Sequence, residues 1–162
     1  MARVLVALDD SDTAVHVARR AHELFGDDSE YFAINVGDQV VLPDTVTSVP
    51  FGVAYPYVWA DGRSTIVIAD GVDLGDVEDA REEEARDQAQ AAAEAGGIDD
   101  AEAIGGLGDP AGAIASEAER QQVDVIVVGS TERSLLSRLV NPSVAKGVES
   151  LTSIPVLVVE TD

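Results

Sequence analysis

The sequence contains no cysteine, and aromatic residues make up only 4% of its 162 residues. Without thiols the chain has neither a disulfide framework nor a thiolate metal site. Hydrophobic residues nevertheless reach 46%, so the core has to be built from Ala, Val, Ile and Leu. Such a core favours helices packed on a parallel sheet, and the length fits one domain, residues 1–162.

Basic residues are also scarce, because ten Lys and Arg stand against 31 Asp and Glu, for a formal net charge of -21. So acidic a surface repels the phosphates of nucleic acids and of anionic lipids, and we expect neither a nucleic acid nor a membrane as partner. Salt has to screen the self-repulsion of the folded chain, as in cytoplasmic proteins of halophiles. No apolar run approaches a membrane span, and the start MARVLVALDD is unlike a signal peptide, so we expect a cytoplasmic protein.

Hydrophobic periodicity divides most of the chain into alternating strands and helices. The predicted strands are Arg3 to Leu8, Glu30 to Val36, Asp99 to Gly105, Asp124 to Val128 and Ile154 to Val159. The predicted helices are Ala14 to Phe25, Asp76 to Ala95, a helix capped by Asp109 with Pro110 at its first position, and Ser143 to Leu151. This order predicts an α/β fold, an open five-stranded parallel sheet with helices on both faces.

The segment 37–75 is too long for an ordinary connection and is predicted to be an insertion between the second strand and the second helix. Val53 to Trp59 and Ser64 to Ala69 flank a turn sequence and indicate a hairpin, with Pro56 confining the first arm to an edge. The aromatic residues of this segment form either a lid or partner-binding arm, or a small cluster that ties the insertion down.

A ligand site is expected where the central strand ends at Gly129 and Ser130, because open α/β sheets bind ligands beyond the carboxyl ends of their strands. Asp9 to Asp12 follow the first strand as residues that cap helices. The two histidines, His16 and His22, lie on the polar face of the first helix with no nucleophile or metal-ligand spacing nearby, so we assign them no chemistry.

Three stretches, VLVALDDSDTA, GDPAGAIASEAERQQVDVIVVGS and SIPVLVVE, resemble the universal stress protein family. The resemblance implies a flavodoxin-like, Rossmann-like sheet of order 3-2-1-4-5. It also implies a homodimer formed through the last strand, Ile154 to Val159, which as a hydrophobic edge would gain from pairing with a second copy.

Many members bind ATP through Gly-x2-Gly-x9-Gly-(Ser/Thr), which the resemblance places on Gly129, Glu132, Pro142 and Ser143. Two of the three glycines are therefore replaced. Glu132 would put a carboxylate near the phosphates, and Pro142 has no N–H to donate. The candidate nucleotide-binding residues that the resemblance leaves are Asp9, Val36, Gly129, Ser130, Arg133, Ser143 and Val144, with an N-cap role as the other interpretation of Asp9.

The sequence thus predicts a non-catalytic stress-response or regulatory protein, with no required cofactor and with ATP binding weakened or lost. The alternative is a member that binds ATP or AMP with the remaining crevice residues, Arg133 and Arg138 replacing the lost amides. A third class is an enzyme that transfers an adenylyl group. Such an enzyme needs a His pair or a glycine-rich loop after the first strand to hold the phosphates, and this sequence has neither there.

Overall fold

The computed structural model describes residues 1–9, 13–37, 47–49, 52–58, 64–69, 74–131 and 144–161. Its strands are β1 (Arg3–Ala7), β2 (Glu30–Gly37), β3 (Thr47–Val49), β4 (Gly52–Val58), β5 (Ser64–Ala69), β6 (Glu102–Leu107), β7 (Val125–Thr131) and β8 (Val156–Thr161). Its helices are α1 (Ala14–Phe25), α2 (Leu74–Ala95), α3 (Pro110–Arg120) and α4 (Val144–Leu151). In the parts of the chain covered by these ranges, no helix is both long and apolar enough to cross a membrane.

The main sheet has five strands in the order β6-β2-β1-β7-β8, and all its neighbouring strands run parallel. Numbered within this sheet alone, the order is 3-2-1-4-5, so the predicted fold class is confirmed. The chain moves outward from β1 to β2 and β6 and then returns to add β7 on the other side of β1. The order therefore reverses between β1 and β7, and their carboxyl ends form the switch point of the fold.

Each face of the sheet buries an aliphatic core beneath two helices. On one face Ala18 of α1 and Ala89 of α2 cover Val6 and Ala33. On the other face Ile114 of α3 and Val148 of α4 are packed with Leu5, Phe32 and Ile126. Ala, Val, Ile and Leu supply most of both cores, to which Tyr31 adds an aromatic ring on the first face and Phe32 one on the second.

The amino end of α1 differs from the prediction, whereas its other end agrees with it. Thr13 occupies the N-cap, so Asp9, four residues earlier, is not the cap of this helix. That interpretation of Asp9 was wrong, because the connection after β1 is longer than a tight turn. At the other end Gly26, with φ of 71°, donates its N–H to the carbonyl of His22 at 2.8 Å and ends the helix.

Three strand boundaries also differ from the prediction. Gly129 and Ser130 do not begin a loop: β7 continues to Thr131, because Gly129 and Ser130 pair with Val159 and Glu160 of β8. β8 itself begins at Val156, so the predicted edge strand is displaced by two residues toward the C-terminus. β6 begins three residues later than predicted, at Glu102, because residues 99 and 100 form a turn.

A second, antiparallel sheet of order β3-β4-β5 lies between β2 and α2 in the sequence. Its β4–β5 pair confirms the predicted hairpin, whereas β3 was not predicted. Since β3 pairs with the other side of β4, Pro56 is in the middle strand and not in an edge strand. Within the described residues the β3 pairing ends at Ala54, however, so Pro56 is paired there with β5 alone. This agrees with the rule that proline avoids positions paired on both sides.

Candidate functional site

A cleft of about 190 Å³ opens at the carboxyl ends of β1 and β7, where the strand order reverses. We call it the switch-point cleft. It is lined by Ala7, Leu8, Asp9, Thr13, Ala14, Val17, Ile34, Asn35, Val36, Pro110, Ile114, Val128, Gly129 and Val144. Most of these side chains are aliphatic, and the polar ones are a carboxylate, a hydroxyl and a carboxamide. Such a site suits a small, flat and largely apolar group that also carries a few hydrogen-bonding atoms.

The structure brings four of the predicted site residues together in this cleft. Asp9 is two residues beyond β1, Val36 lies near the end of β2, Gly129 is in β7, and Val144 begins α4. They are far apart in the sequence, and the pairing of the strands with α4 beside them makes them neighbours. The cleft therefore lies where the ends of the strands predicted a ligand site.

The remaining predicted residues are not part of the described lining. Ser130 lies in β7 opposite Glu160. Arg133 and Ser143, and also Glu132 and Pro142, which replace motif glycines, lie outside the described residues. The predicted phosphate-binding segment is thus known here by its sequence alone.

The sequence analysis missed Asn35, which lines the cleft at a relative exposure of 6%. Its Nδ2 donates a hydrogen bond to Oε1 of Gln88, on α2, at 2.8 Å. A polar residue near the end of a strand of apolar side chains was the available signal. Its partner is 53 positions away and could not be inferred from local pattern.

An acidic side chain already occupies the amino end of α3, which borders the cleft through Pro110. Asp109 is the N-cap, and its Oδ2 accepts a hydrogen bond from the backbone N–H of Gly112 at 2.8 Å. The predicted cap is therefore confirmed. Because this carboxylate complements the positive pole of the helix, a phosphate approaching the same end would meet a negative charge.

Neither histidine lines the cleft. His16 is exposed, as predicted, but His22 is only partly so, because its ring contacts Tyr31 edge to face and its Nε2 lies 2.7 Å from Oδ1 of Asp27. Burial raises the pKa of Tyr31, whose hydroxyl donates to the carbonyl of Gly26. The contacts among His22, Asp27 and Tyr31 therefore join the end of α1 to β2.

Across the described ranges, no group of three or more His, Asp or Glu side chains is arranged to hold a metal ion.

The model of the universal stress protein family matches residues 55–160, about two thirds of the chain. The chain belongs to this family. The match begins inside the predicted insertion and includes the elements that supply Gly129, Val144 and the α3 side of the cleft. No curated protein gave a significant match to this universal stress protein.

Solved structures share its fold at low sequence identity. The hypothetical protein MJ0577 is similar over 99% of this chain and 96% of its own, at 21% identity and a TM-score of 0.65. A universal stress protein in complex with cAMP is similar over 99% of this chain and 98% of its own, at 20% identity and a TM-score of 0.60. A universal stress protein from Archaeoglobus fulgidus in complex with dAMP is similar over 98% of this chain and 97% of its own, at 19% identity and a TM-score of 0.50.

Proposed function

We propose that this universal stress protein is a non-catalytic regulatory protein. Its switch-point cleft takes up the adenosine part of an adenine nucleotide and holds the phosphates weakly. The observation that carries the proposal is the cleft itself, which gathers Asp9, Val36, Gly129 and Val144 around an aliphatic pocket at the switch point. The complexes of two structural neighbours with cAMP and dAMP support the same ligand class.

The walls of the cleft suit a nucleoside. In the part of the chain that the structure describes, the cleft measures about 190 Å³, which is room for a base, and the segment predicted to lie beside the phosphates is outside the described residues. Ile34, Ile114 and Val128 offer apolar surface to the faces of a base. The carboxylate of Asp9 can accept hydrogen bonds from the hydroxyl groups of a ribose.

The surroundings disfavour a triphosphate. Glu132 and Pro142 stand where the family motif has glycines, so one adds a negative charge and the other removes a donor. Asp109 adds a further carboxylate beside the cleft. The chain has a net charge of -21, so it repels the ATP anion but not uncharged adenosine. This repulsion is strongest at low salt, where the charges are least screened.

Calorimetry in molar KCl with adenosine, AMP and ATP tests the proposal. We expect adenosine and AMP to bind, and ATP to bind at least about tenfold more weakly, which corresponds to about 1.4 kcal/mol. A Glu132→Gly, Pro142→Gly double variant should gain ATP affinity. Glu149→Ala, which removes the same charge from an exposed position of α4, should not.

Two results would contradict the proposal in different ways. Failure of all three ligands to bind would remove the adenosine part. Binding of ATP to the wild type as tightly as AMP would remove the weakened phosphate site and favour the alternative, in which Arg133 and Arg138 neutralise the phosphates.

We also propose that the protein is a homodimer paired through β8, the edge strand next to β7. Val158 on this strand is 40% exposed, and Leu151 at the end of α4 is 54% exposed. An edge strand with exposed aliphatic side chains and unpaired backbone groups is stabilised when a second copy extends the sheet.

A further inference from the structure

β5 is an open edge of the small antiparallel sheet: β4 pairs with it on one side, and no described strand pairs with it on the other. Within the described residues, no strand of the small sheet makes an extended contact with the main sheet or its helices. The six residues of β5, STIVIA, include no charged residue, proline or glycine. Such an edge offers a row of free backbone N–H and C=O groups to another strand.

The two other edge strands for which no partner has been proposed, β3 and β6, are built differently. β3 has only three residues, and β6 begins with Glu102 and contains Gly105 and Gly106. Shortness and charge protect an edge from pairing, and glycine weakens a strand. β5 has none of these protections, although the whole chain has a net charge of -21. A strand that pairs with another strand has no need of them.

The pairing with β4 determines which backbone groups of β5 point outward. In antiparallel strands, opposed residues alternate between exchanging two backbone hydrogen bonds and exchanging none. Pro56 has no N–H to exchange, so its pair with Ile66 belongs to the second kind. Ile66 and the residues two positions away, Ser64 and Ile68, therefore turn their N–H and C=O groups to the open edge.

We propose that β5 pairs with β5 of a second copy of this chain, in antiparallel orientation, around a two-fold axis at Ile66. This register sets Ile66 opposite Ile66 of the second copy and Ser64 opposite Ile68, so all three outward residues of each strand are hydrogen-bonded. The contact uses the same patch on both copies, as a two-fold interface requires. It is separate from the interface through β8 and does not depend on the nucleoside site.

The charges around β5 favour a second copy as its partner. Two chains of net charge -21 repel each other, so their contact costs least where neither carries a charge. In the sequence, Arg63 directly precedes β5 and Asp70 directly follows it. Antiparallel pairing brings the beginning of each strand next to the end of the other, and with it the opposite charge.

The size of the contact sets its strength. One short strand from each copy makes an interface well below the roughly 1,200 Å² at the lower end of stable complexes. We therefore expect the pairing through β5 to be weak and to form at high protein concentration, whereas dilute protein does not show it.

Because the chain has no cysteine, single introduced thiols can test the register. Opposed, hydrogen-bonded residues of antiparallel strands have Cα atoms about 5.5 Å apart, which a disulfide can bridge. Ile66→Cys should therefore give a covalent dimer when concentrated protein is treated with oxidised glutathione. Thr65→Cys is the matched control, because its two copies are offset by two positions, with Cα atoms about 8 Å apart, too far to bridge. Non-reducing electrophoresis compares the two rates.

Sedimentation equilibrium in molar KCl tests the pairing without a thiol. The mass of the wild type should rise between micromolar and millimolar protein. Ile66→Pro should abolish this rise, because it removes the outward N–H at the axis and proline is tolerated where the N–H faces away from the neighbouring strand. Ser48→Pro makes the same change on β3, at the opposite edge of the sheet, and should leave the rise unchanged. Circular dichroism confirms that each variant is folded.

Any one of three results would overturn the proposal: a wild-type mass that does not depend on concentration, a rise that persists in Ile66→Pro, or a disulfide that forms in Thr65→Cys as fast as in Ile66→Cys. The outcome is independent of the dimer through β8. If that dimer forms, the rise begins at the mass of a dimer, and if it does not, at the mass of a monomer. Ile66→Pro should remove the rise in both cases.

Discussion

Gly129 has a packing role that does not depend on any ligand. A Cβ added at this position would lie 2.7 Å from Cγ2 of Val17, a residue of α1 that is 2% exposed. Val17 is β-branched and buried, so it cannot turn away from the added methyl group. Gly129 therefore lets α1 approach β7, whatever it also does for a bound molecule.

We predict that Gly129→Ala lowers the free energy of unfolding of the unliganded protein by about 1–3 kcal/mol. Adding Val17→Ala should recover part of that loss, so that the double variant is more stable than the sum of the two single changes implies. Denaturant unfolding in molar KCl measures all four proteins. A Gly129→Ala variant as stable as the wild type would show that the glycine serves the ligand alone.

The end of the central strand predicted the place of the site at Gly129 and Ser130, and the family resemblance supplied the other candidate residues. Asp9, Val36 and Gly129 lie at or near the ends of strands with clear hydrophobic patterns, and the structure brings them to one cleft. Asn35 could not be identified in this way, because its burial and its bond to Gln88 depend on how α2 lies on the sheet. Its neighbour Val36 was predicted through the family resemblance and not through packing.

At the scale of elements, α2 packs on β6, and its backbone comes closest to the strand at Gly105. A Cβ on Gly105 would lie 1.9 Å from the backbone carbonyl oxygen of Glu82, in the middle of α2. On Gly106, the next residue, it would lie 3.4 Å from Cγ2 of Val36, an ordinary contact. The two adjacent glycines therefore form a matched pair on opposite faces of one strand.

We predict that Gly105→Ala destabilises the protein by more than about 3 kcal/mol, because α2 has to move as a whole. Gly106→Ala should stay within about 1 kcal/mol of the wild type. Thermal unfolding of the two variants checks this difference. Equal losses would mean that both glycines matter for strand conformation and that the approach of α2 is not the cause.

The number and type of the elements of the main sheet, and their succession along the chain, could be predicted because each has its own hydrophobic period and end signals, whereas the strand order 3-2-1-4-5 came from the family resemblance. Asp109 and Pro110, for example, mark the beginning of α3 in the sequence and in the structure. Boundaries that depend on a neighbouring strand could not be predicted. Gly129 resembles a strand end in sequence, yet pairing with β8 carries β7 two residues beyond it.

For the whole molecule, the proposed dimer predicts that a charge on β8 separates the copies. Val158→Asp should give a monomer in light scattering at molar KCl, because a carboxylate on an edge strand opposes pairing with a second strand. Leu24→Asp makes a similar change at an α1 residue that is 54% exposed and should leave the mass unchanged. A wild type that is already monomeric, or a Val158→Asp variant that stays dimeric, would exclude pairing through this strand.

For the whole molecule, we expect the excess of acidic residues, a net charge of -21, to make stability depend on salt. On α2, Glu82, Glu83, Glu84 and Asp87 are all exposed, and among the described residues Arg86 pairs with Glu82, at 3.9 Å. Raising KCl from 0.1 to 1 M shortens the screening length from about 10 to about 3 Å and weakens this repulsion. We therefore expect the Tm to rise with KCl.

A Glu83→Gln, Glu84→Gln, Asp87→Asn variant should have a higher Tm than the wild type at 0.1 M KCl, and the two Tm values should converge at high salt. Parallel salt curves would show that general salt effects, and not the repulsion on α2, cause the dependence.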